Sequence, residues 1–318
     1  MRAWLDQQFG GRVRFAEPLS RHTSFRIGGP ADAWVEVSSP AEILGLQRAA
    51  AAAGIPIAVL GIGTNVLVSD RGMRGIVIKL GRALGTLAWR SATSPRQAQD
   101  TALRPSQDVH VRAGAAAPFK KLVVEAAGRG LTGLEFAEGI PGSIGGGLLM
   151  NAGAFGGEIS HVVSGIVGVT PDSGERWLPR EELRFGYRRF DLPPALIITH
   201  VDFTLAPGDP AAIRATMAAA KRKRDAKQPL GWPNAGSIFK NPPGDYAGRL
   251  IEAVGLKGRR VGGAMISEQH ANFIVNVGDA TAADVKALMD EVADIVWQAR
   301  AIRLVPEIKL IGDWETRE

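Results

Sequence analysis

Apolar positions recur along the chain in two periods. Over 281–300, Val285, Leu288, Met289, Val292 and Val296 fall at the three-and-four spacing of one helix face, and Thr281 stands where an N-cap would. Met289 on that face reads as core. The same period predicts helices over 40–53, 119–128 and 211–226. Short apolar runs bounded by glycine or proline predict strands over 33–37, 57–60, 66–68, 76–80, 109–113, 162–169, 196–205 and 271–277, with a closing strand around 307–310. The order gives a βαββ segment, a second α+β region and, after a linker-like 207–210, a last α+β unit that passes through 247–254. The second region is interrupted by a polar stretch over 91–108, rich in Ser, Gln, Thr and Ala and carrying two prolines. It reads as a surface excursion or hairpin extension.

Glycines gather in groups beside these apolar runs, without the fixed period of a solenoid. Gly61, Ile62, Gly63, Thr64 and Asn65 follow a predicted strand. Such a loop can turn successive backbone amides onto an anion such as a pyrophosphate. A tight hairpin is the alternative reading. The Rossmann fingerprint is excluded because its third glycine is missing and the next residues read as strand; no Gly-Lys-Ser/Thr of a Walker loop follows. A second run, Glu138-Gly-Ile-Pro-Gly-Ser-Ile-Gly-Gly-Gly147, continues into more glycines up to Gly157. So many would destabilise an ordinary helix or strand, so close packing on a flat ligand explains them better. Two glycine segments from separate α+β units could grip one dinucleotide.

Composition narrows the classes. A chain of 318 residues, 45% hydrophobic and 22% charged, is an ordinary globular protein of two domains or three small ones. The absence of cysteine excludes disulfides, iron–sulfur clusters, thiolate zinc sites and a cysteine nucleophile, and fits a reducing cytoplasm. No apolar stretch is long enough to span a membrane, and the first residues lack the apolar core of a signal peptide, so a soluble cytoplasmic protein is expected. The net charge of +6 fits a mildly basic proteome first and an anionic substrate second. Nucleic acid comes last, because aromatics are only 6% and do not interleave with a basic face. The one basic cluster, Lys221 to Arg224, lies in a helical stretch and reads as a solvated face. Five scattered histidines have no metal-ligand spacing, so no metal is expected. On composition alone Arg188 is an exposed arginine, Ser237 a turn serine and Glu307 a solvated glutamate.

Taken in order, the motifs say more. Thr23-Ser-Phe-Arg-Ile-Gly-Gly29, the loop from Gly61 to Ser69 and Asp70, Gly139-Ile-Pro-Gly-Ser-Ile-Gly-Gly146, Met150-Asn-Ala-Gly-Ala-Phe-Gly156, Gly186-Tyr-Arg188, Ala235-Gly-Ser-Ile-Phe-Lys-Asn-Pro242 and Pro306-Glu307 together resemble the UDP-N-acetylenolpyruvoylglucosamine reductase (MurB) family. The resemblance runs from about Thr23 to Gly312. It implies an α+β fold of the FAD-binding PCMH/vanillyl-alcohol-oxidase type, with two α+β FAD-binding subdomains (1–80 and 81–206), a C-terminal α+β substrate-binding domain (207–302) and a closing segment (303–318) carrying Glu307. It further implies non-covalent FAD, NADPH as co-substrate, a UDP-sugar enolpyruvate as substrate, and no nucleic-acid, membrane or obligate protein partner. The family makes UDP-N-acetylmuramate for peptidoglycan.

The resemblance also carries site residues. Ser237 matches the family's proton donor, and Arg188 and Glu307 its partners at the enolpyruvyl carboxylate. Gly61, Ile62, Gly63, Thr64, Asn65 and Ser69, with Gly142, Ser143, Ile144, Gly145 and Gly146, match the FAD-binding segments. Tyr187, Lys227, Asn241 and His270 match substrate-contacting positions. Where many relatives carry a serine two residues after the arginine, this chain has Phe190. No long insertion separates Arg188 from Leu196, so the chain resembles the subtype without a tyrosine-bearing capping loop. A different flavoenzyme of the same fold would lack the Ser237/Glu307 pair. A non-catalytic nucleotide binder would be colourless.

Overall fold

The structure is a computed structural model that describes residues 1–91 and 108–314. The polar excursion therefore falls, over 92–107, outside the described residues. Its flanks meet in an antiparallel rung, Ser91 opposite Val109. Contacts divide the chain into two compact units, each assembled from separated stretches.

One unit comprises Glu36–Gly54 and Lys79–Arg224. Its sheet runs in the order Gly174–Pro179, Val163–Thr170, Ile197–Pro207, Val109–Gly114, Leu87–Ser91, all antiparallel. Alternation sorts the faces: Val111, Ala113, Val201, Phe203 and Leu205 are buried, while Arg112, His200 and Asp202 take the opposite parity. The helix Phe119–Gly128 buries Phe119, Leu122, Val123 and Ala126, spaced as one face. The helix Pro40–Ala52 starts at Ser39, whose hydroxyl accepts from the Glu42 amide at 3.2 Å, and packs on Val163–Thr170. There Gln47 donates to the Ala195 carbonyl at 2.7 Å.

The other unit comprises Arg2–Val35, Ile55–Ile78 and Asp225–Glu318. One sheet orders Val13–Pro18, Pro30–Val37, Met73–Leu80 and Ile57–Val59; its first pair is antiparallel and its last parallel. A second orders Asn234–Ser237, Phe273–Asn276, Ala264–Ile266 and Arg260–Val261, all antiparallel. The helix Ala282–Arg300 opens on a full capping box between Thr281 and Asp284. Its stripe of Val285, Leu288, Met289, Val292 and Val296 is buried with Phe25, Leu67, Ile274 and Ile308. Asp70 holds the helix's first turn, its two carboxylate oxygens accepting from the Ala282 and Ala283 amides at 2.8 and 2.9 Å. The closing strand is Lys309–Ile311, parallel to Val66–Val68 and slightly beyond the expected 307–310. No described helix is long and apolar enough to cross a membrane.

Candidate active site

The loop Gly61 to Asn65 is not a hairpin. The strand before it pairs with Met73–Leu80, and the strand after it pairs with Lys309–Ile311. Gly63 sits at φ +72°, and a Cβ there would come within 2.2 Å of the His22 carbonyl oxygen, so only glycine fits. Its own carbonyl is held by the Ser24 amide and hydroxyl at 3.0 and 3.3 Å. The amides of Ile62, Gly63 and Thr64 donate to nothing among the described residues. Three successive unused donors about a left-handed glycine fit a phosphate-bearing cofactor. Ser69 differs. Its hydroxyl donates to the Asp313 carbonyl at 2.5 Å and accepts from the Arg71 amide at 3.1 Å, and its own amide donates to Ile311.

Ser237 ends the strand Asn234–Ser237, after an irregularity at Gly236 (φ +76°) that re-aims the chain. Its half-buried hydroxyl has no hydrogen-bond partner among the described residues. The next residues are clasped on two sides. Asn272 is buried and exchanges two hydrogen bonds with the Phe239 backbone, donating at 2.8 Å and accepting at 3.0 Å. On the other side the Glu307 amide donates to the Ile238 carbonyl at 2.7 Å, and the Lys240 amide to Val305 at 2.8 Å. Asn65 donates its side-chain amide to the Glu307 carbonyl at 3.3 Å, and the Ser24 hydroxyl donates to the Asn234 carbonyl at 2.6 Å. The glycine loop, Ser237 and Glu307 are thus neighbours in one hydrogen-bonded assembly.

Asn241 is exposed, and its side-chain oxygen accepts from the Ala247 amide at 3.1 Å, starting the helix Ala247–Ala253. His270 lies with its ring edge-on to Phe273, 4.9 Å between centroids, and its Nδ1 accepts from the Asn272 amide at 3.2 Å. Burial first, and then the Lys227 and Lys257 charges, hold the His270 imidazole below its ordinary pKa. Lys227, which ends the helix Pro210–Lys227, is exposed.

In the unit holding Arg188, that residue occupies the second position of a two-residue turn between Phe185–Gly186 and Arg189–Phe190, at φ +54°. Phe190 replaces the serine of many relatives with a different support: its ring stacks on Phe185 at 4.7 Å and closes the hairpin. Tyr187, beside Arg188, is about half exposed. From below, fully buried Asn151 donates to the Gly186 carbonyl at 3.1 Å and accepts from the Ser160 amide at 3.1 Å. Burial opposes the charge on Glu158. Hydrogen bonds from Ser160 and Asn151 and the charges of His161 and Arg188 outweigh it, so the carboxyl sits below its ordinary pKa.

The second glycine segment starts the helix Ile144–Leu149. The Ser143 hydroxyl accepts from the Gly146 amide, and Ile144 and Gly145 donate to Ala117 and Ala115. Only the Gly142 and Ser143 amides of that segment remain unengaged among the described residues. The basic cluster departs from the expected solvated face. Lys221, Arg222 and Lys223 are exposed, but Arg224 turns inward and its Nε is buried without a partner among the described residues. The signal was available: Ile213, Met217, Ala220 and Arg224 share one helix stripe, and the first three are buried or half-buried.

The two glycine segments and the fold carrying them define a protein of the FAD-binding PCMH/vanillyl-alcohol-oxidase type. Residues 31–177 match the FAD binding domain family, and residues 228–311 match the C-terminal domain of UDP-N-acetylenolpyruvoylglucosamine reductase. The chain is 46% identical to UDP-N-acetylenolpyruvoylglucosamine reductase 2 of Symbiobacterium thermophilum, over 95% of this chain and 93% of that one. It is 44% identical to the reductase of Syntrophus aciditrophicus over the same shares. The crystal structure of UDP-N-acetylenolpyruvylglucosamine reductase (MurB) from Thermus caldophilus superposes with a TM-score of 0.77 at 36% identity, covering 94% of this chain and 97% of that one. The chain belongs to the UDP-N-acetylenolpyruvoylglucosamine reductase family.

Proposed function

We propose that this protein reduces UDP-N-acetylglucosamine enolpyruvate to UDP-N-acetylmuramate for peptidoglycan synthesis, with non-covalent FAD and with NADPH as the electron source. The observation that carries the reading is the joint between the Glu307 amide and the Ile238 carbonyl. It sets Glu307 beside the residue that follows Ser237, whose hydroxyl has no hydrogen-bond partner among the described residues. The amides of Ile62, Gly63 and Thr64 would hold the FAD pyrophosphate, and those of Gly142 and Ser143 would serve the second flavin-binding segment. FAD held there would supply the hydride chemistry, with NADPH as the source and the outer carbon of the enolpyruvyl double bond as the acceptor.

This chain's residues do the rest. Ser237 Oγ gives its proton to the inner carbon, where carbanion character has developed. Arg188 offers the substrate carboxylate a guanidinium fork, and Glu307 serves the same group. Lys227, Asn241, His270 and Tyr187 contact the diphosphate and sugar. Residues 1–80 and 81–206 act as the flavin-binding subdomains and 207–302 as the substrate-binding domain, with Glu307 supplied by 303–318. Phosphorylated nucleotide substrates of this kind are consumed in the cytoplasm, where we place the enzyme.

The test is spectroscopic. The purified protein should be yellow and release FAD on acid denaturation. Anaerobic NADPH should bleach it, and the enolpyruvyl sugar nucleotide should restore the colour. A colourless protein, or a bleached one that the substrate cannot reoxidise, would refute the reading.

A further inference from the structure

Arg224 projects from the apolar stripe of its helix, and its stem lies against the second glycine segment. A Cβ built on Gly139 would come 3.0 Å from Arg224 Cδ. The guanidinium carbon is 5.7 Å from the centroid of the Phe155 ring, itself carried on a left-handed backbone at φ +52°. Burial lowers the pKa of this arginine, the Arg188 charge lowers it further, and Glu138 offsets part of the effect. The Arg188 charge thus reaches Arg224, at a cost to the charged form of Arg224. Buried charges in proteins are ordinarily matched by an opposite charge. The other carboxylate here, Glu158, is engaged by Ser160 and Asn151, and Arg224 forms no ion pair among the described residues.

We propose that Arg224 is a second cation of the site and binds, together with Arg188, a planar delocalised oxyanion. A guanidinium fork suits that geometry and delocalisation. The proposal rests on the function proposed above, which brings two oxyanions of this chemistry. One is the carboxylate on the enolpyruvyl side of the substrate. The other is the N1–C2=O edge of the flavin ring, which gains negative charge on reduction. Retaining an arginine with no ion pair among the described residues on this stripe, where leucine or methionine would pack, makes sense if one of them completes it.

The experiment uses the FAD-loaded protein and Arg224→Met, which removes the charge and keeps the stem. Two quantities are read: the Kd for UDP-N-acetylmuramate, from its perturbation of the flavin spectrum, and the flavin midpoint potential by dye equilibration. If the oxyanion is the carboxylate, product binding weakens by about tenfold to a hundredfold, as for a lost hydrogen bond to a charged group. The affinity for UDP-N-acetylglucosamine, which lacks the carboxylate, and the potential then stay unchanged. If the oxyanion is the flavin edge, the potential falls and both affinities stay. Either result supports the proposal. It is overturned if Arg224→Met keeps its FAD, its product affinity within twofold and its potential. Should that variant not fold, Arg224→Lys and Arg224→Gln are read the same way, and lysine should recover only part of the effect. Wild-type protein that holds FAD but binds no UDP-N-acetylmuramate would refute the proposed function, while the potential would still decide the role of Arg224.

Discussion

Replacing Asn151 should weaken the protein and its second half-reaction together. The Asn151 side chain is fully buried, hydrogen-bonds the Gly186 carbonyl and the Ser160 amide and also supports the Glu158 carboxylate, and its backbone is left-handed at φ +40°. Asn151→Ala leaves the buried Ser160 amide unsatisfied, at about 1–3 kcal/mol. The Gly186 carbonyl is exposed and can take water instead, so that loss is about 0.5–1.5 kcal/mol. Alanine tolerates the left-handed backbone less well than asparagine, adding about 1 kcal/mol. The expected loss is about 3–5 kcal/mol, which lowers the melting temperature of a chain this size by roughly 5–8 °C. Asn151→Gly removes the backbone strain but not the lost hydrogen bonds, so it should recover only about 1–2 kcal/mol. Both variants free the turn that carries Arg188. Reoxidation of the flavin by the enolpyruvyl sugar nucleotide should slow by at least about tenfold, because positioning errors of an ångström are that damaging. Reduction by NADPH should stay near the wild-type rate. Thermal unfolding and anaerobic stopped-flow measure the two effects. A glycine variant that restores wild-type reoxidation would refute the idea that Asn151 positions Arg188 through Gly186.

Three further outcomes are expected. Gly63→Ala should purify with little FAD, because its Cβ meets the His22 carbonyl at 2.2 Å and its φ of +72° adds roughly 1–2 kcal/mol of strain; visible absorbance per chain measures the loss. Ser237→Ala should be bleached by NADPH at the wild-type rate and reoxidised by substrate about 10²–10⁴-fold more slowly, whereas equal slowing of both half-reactions would count against a proton-donor role. His270, with its pKa depressed in the folded protein, contributes stability that is complete above the ordinary histidine value of about 6.5 and lost as pH falls toward the folded value, since the unfolded chain takes up the proton first. His270→Gln should therefore flatten the fall in melting temperature between about pH 7.5 and 5.5.

Local pattern carried the reading where an element is long and its buried face apolar. The helices Phe119–Gly128 and Ala282–Arg300 stand at their predicted spans, with the Thr281 cap in place. Pattern failed where the buried position is polar or nearly absent. The strand Val13–Pro18 went unpredicted because the one residue it buries is Glu17, which is paired with His22 at 2.8 Å, while Val13 and Phe15 are only half-buried. Gly174–Pro179 buries Leu178 alone and leaves Trp177 exposed. Arg224 was legible in principle from its stripe, but the run of four basic residues outweighed the period. Asn151 offered no such signal, since its worth lies in a carbonyl far along the chain.

The candidate site itself is built from contacts that no local pattern contains. The stretch from Val305 to Asp313 touches two distant parts of its unit. Its first residues pair with those following Ser237, and Lys309–Ile311 runs beside Val66–Val68, the strand that follows the glycine loop. The Asp313 amide then donates to Gly72, and the Asp313 carbonyl accepts from Ser69. Ser69, expected from the resemblance at the flavin, thus fastens this closing stretch. Glu307 lies between two such anchors, so its backbone is fixed on both sides before any ligand arrives. A functional group supported this way meets its target with little reorganisation. Contacts of such long range are also the most expensive in loop entropy to close. The loop amides, the serine and the glutamate should accordingly come together late in folding. Motif order along the chain could reveal that these residues belong to one enzyme, whereas their adjacency exists only once the last strand has docked.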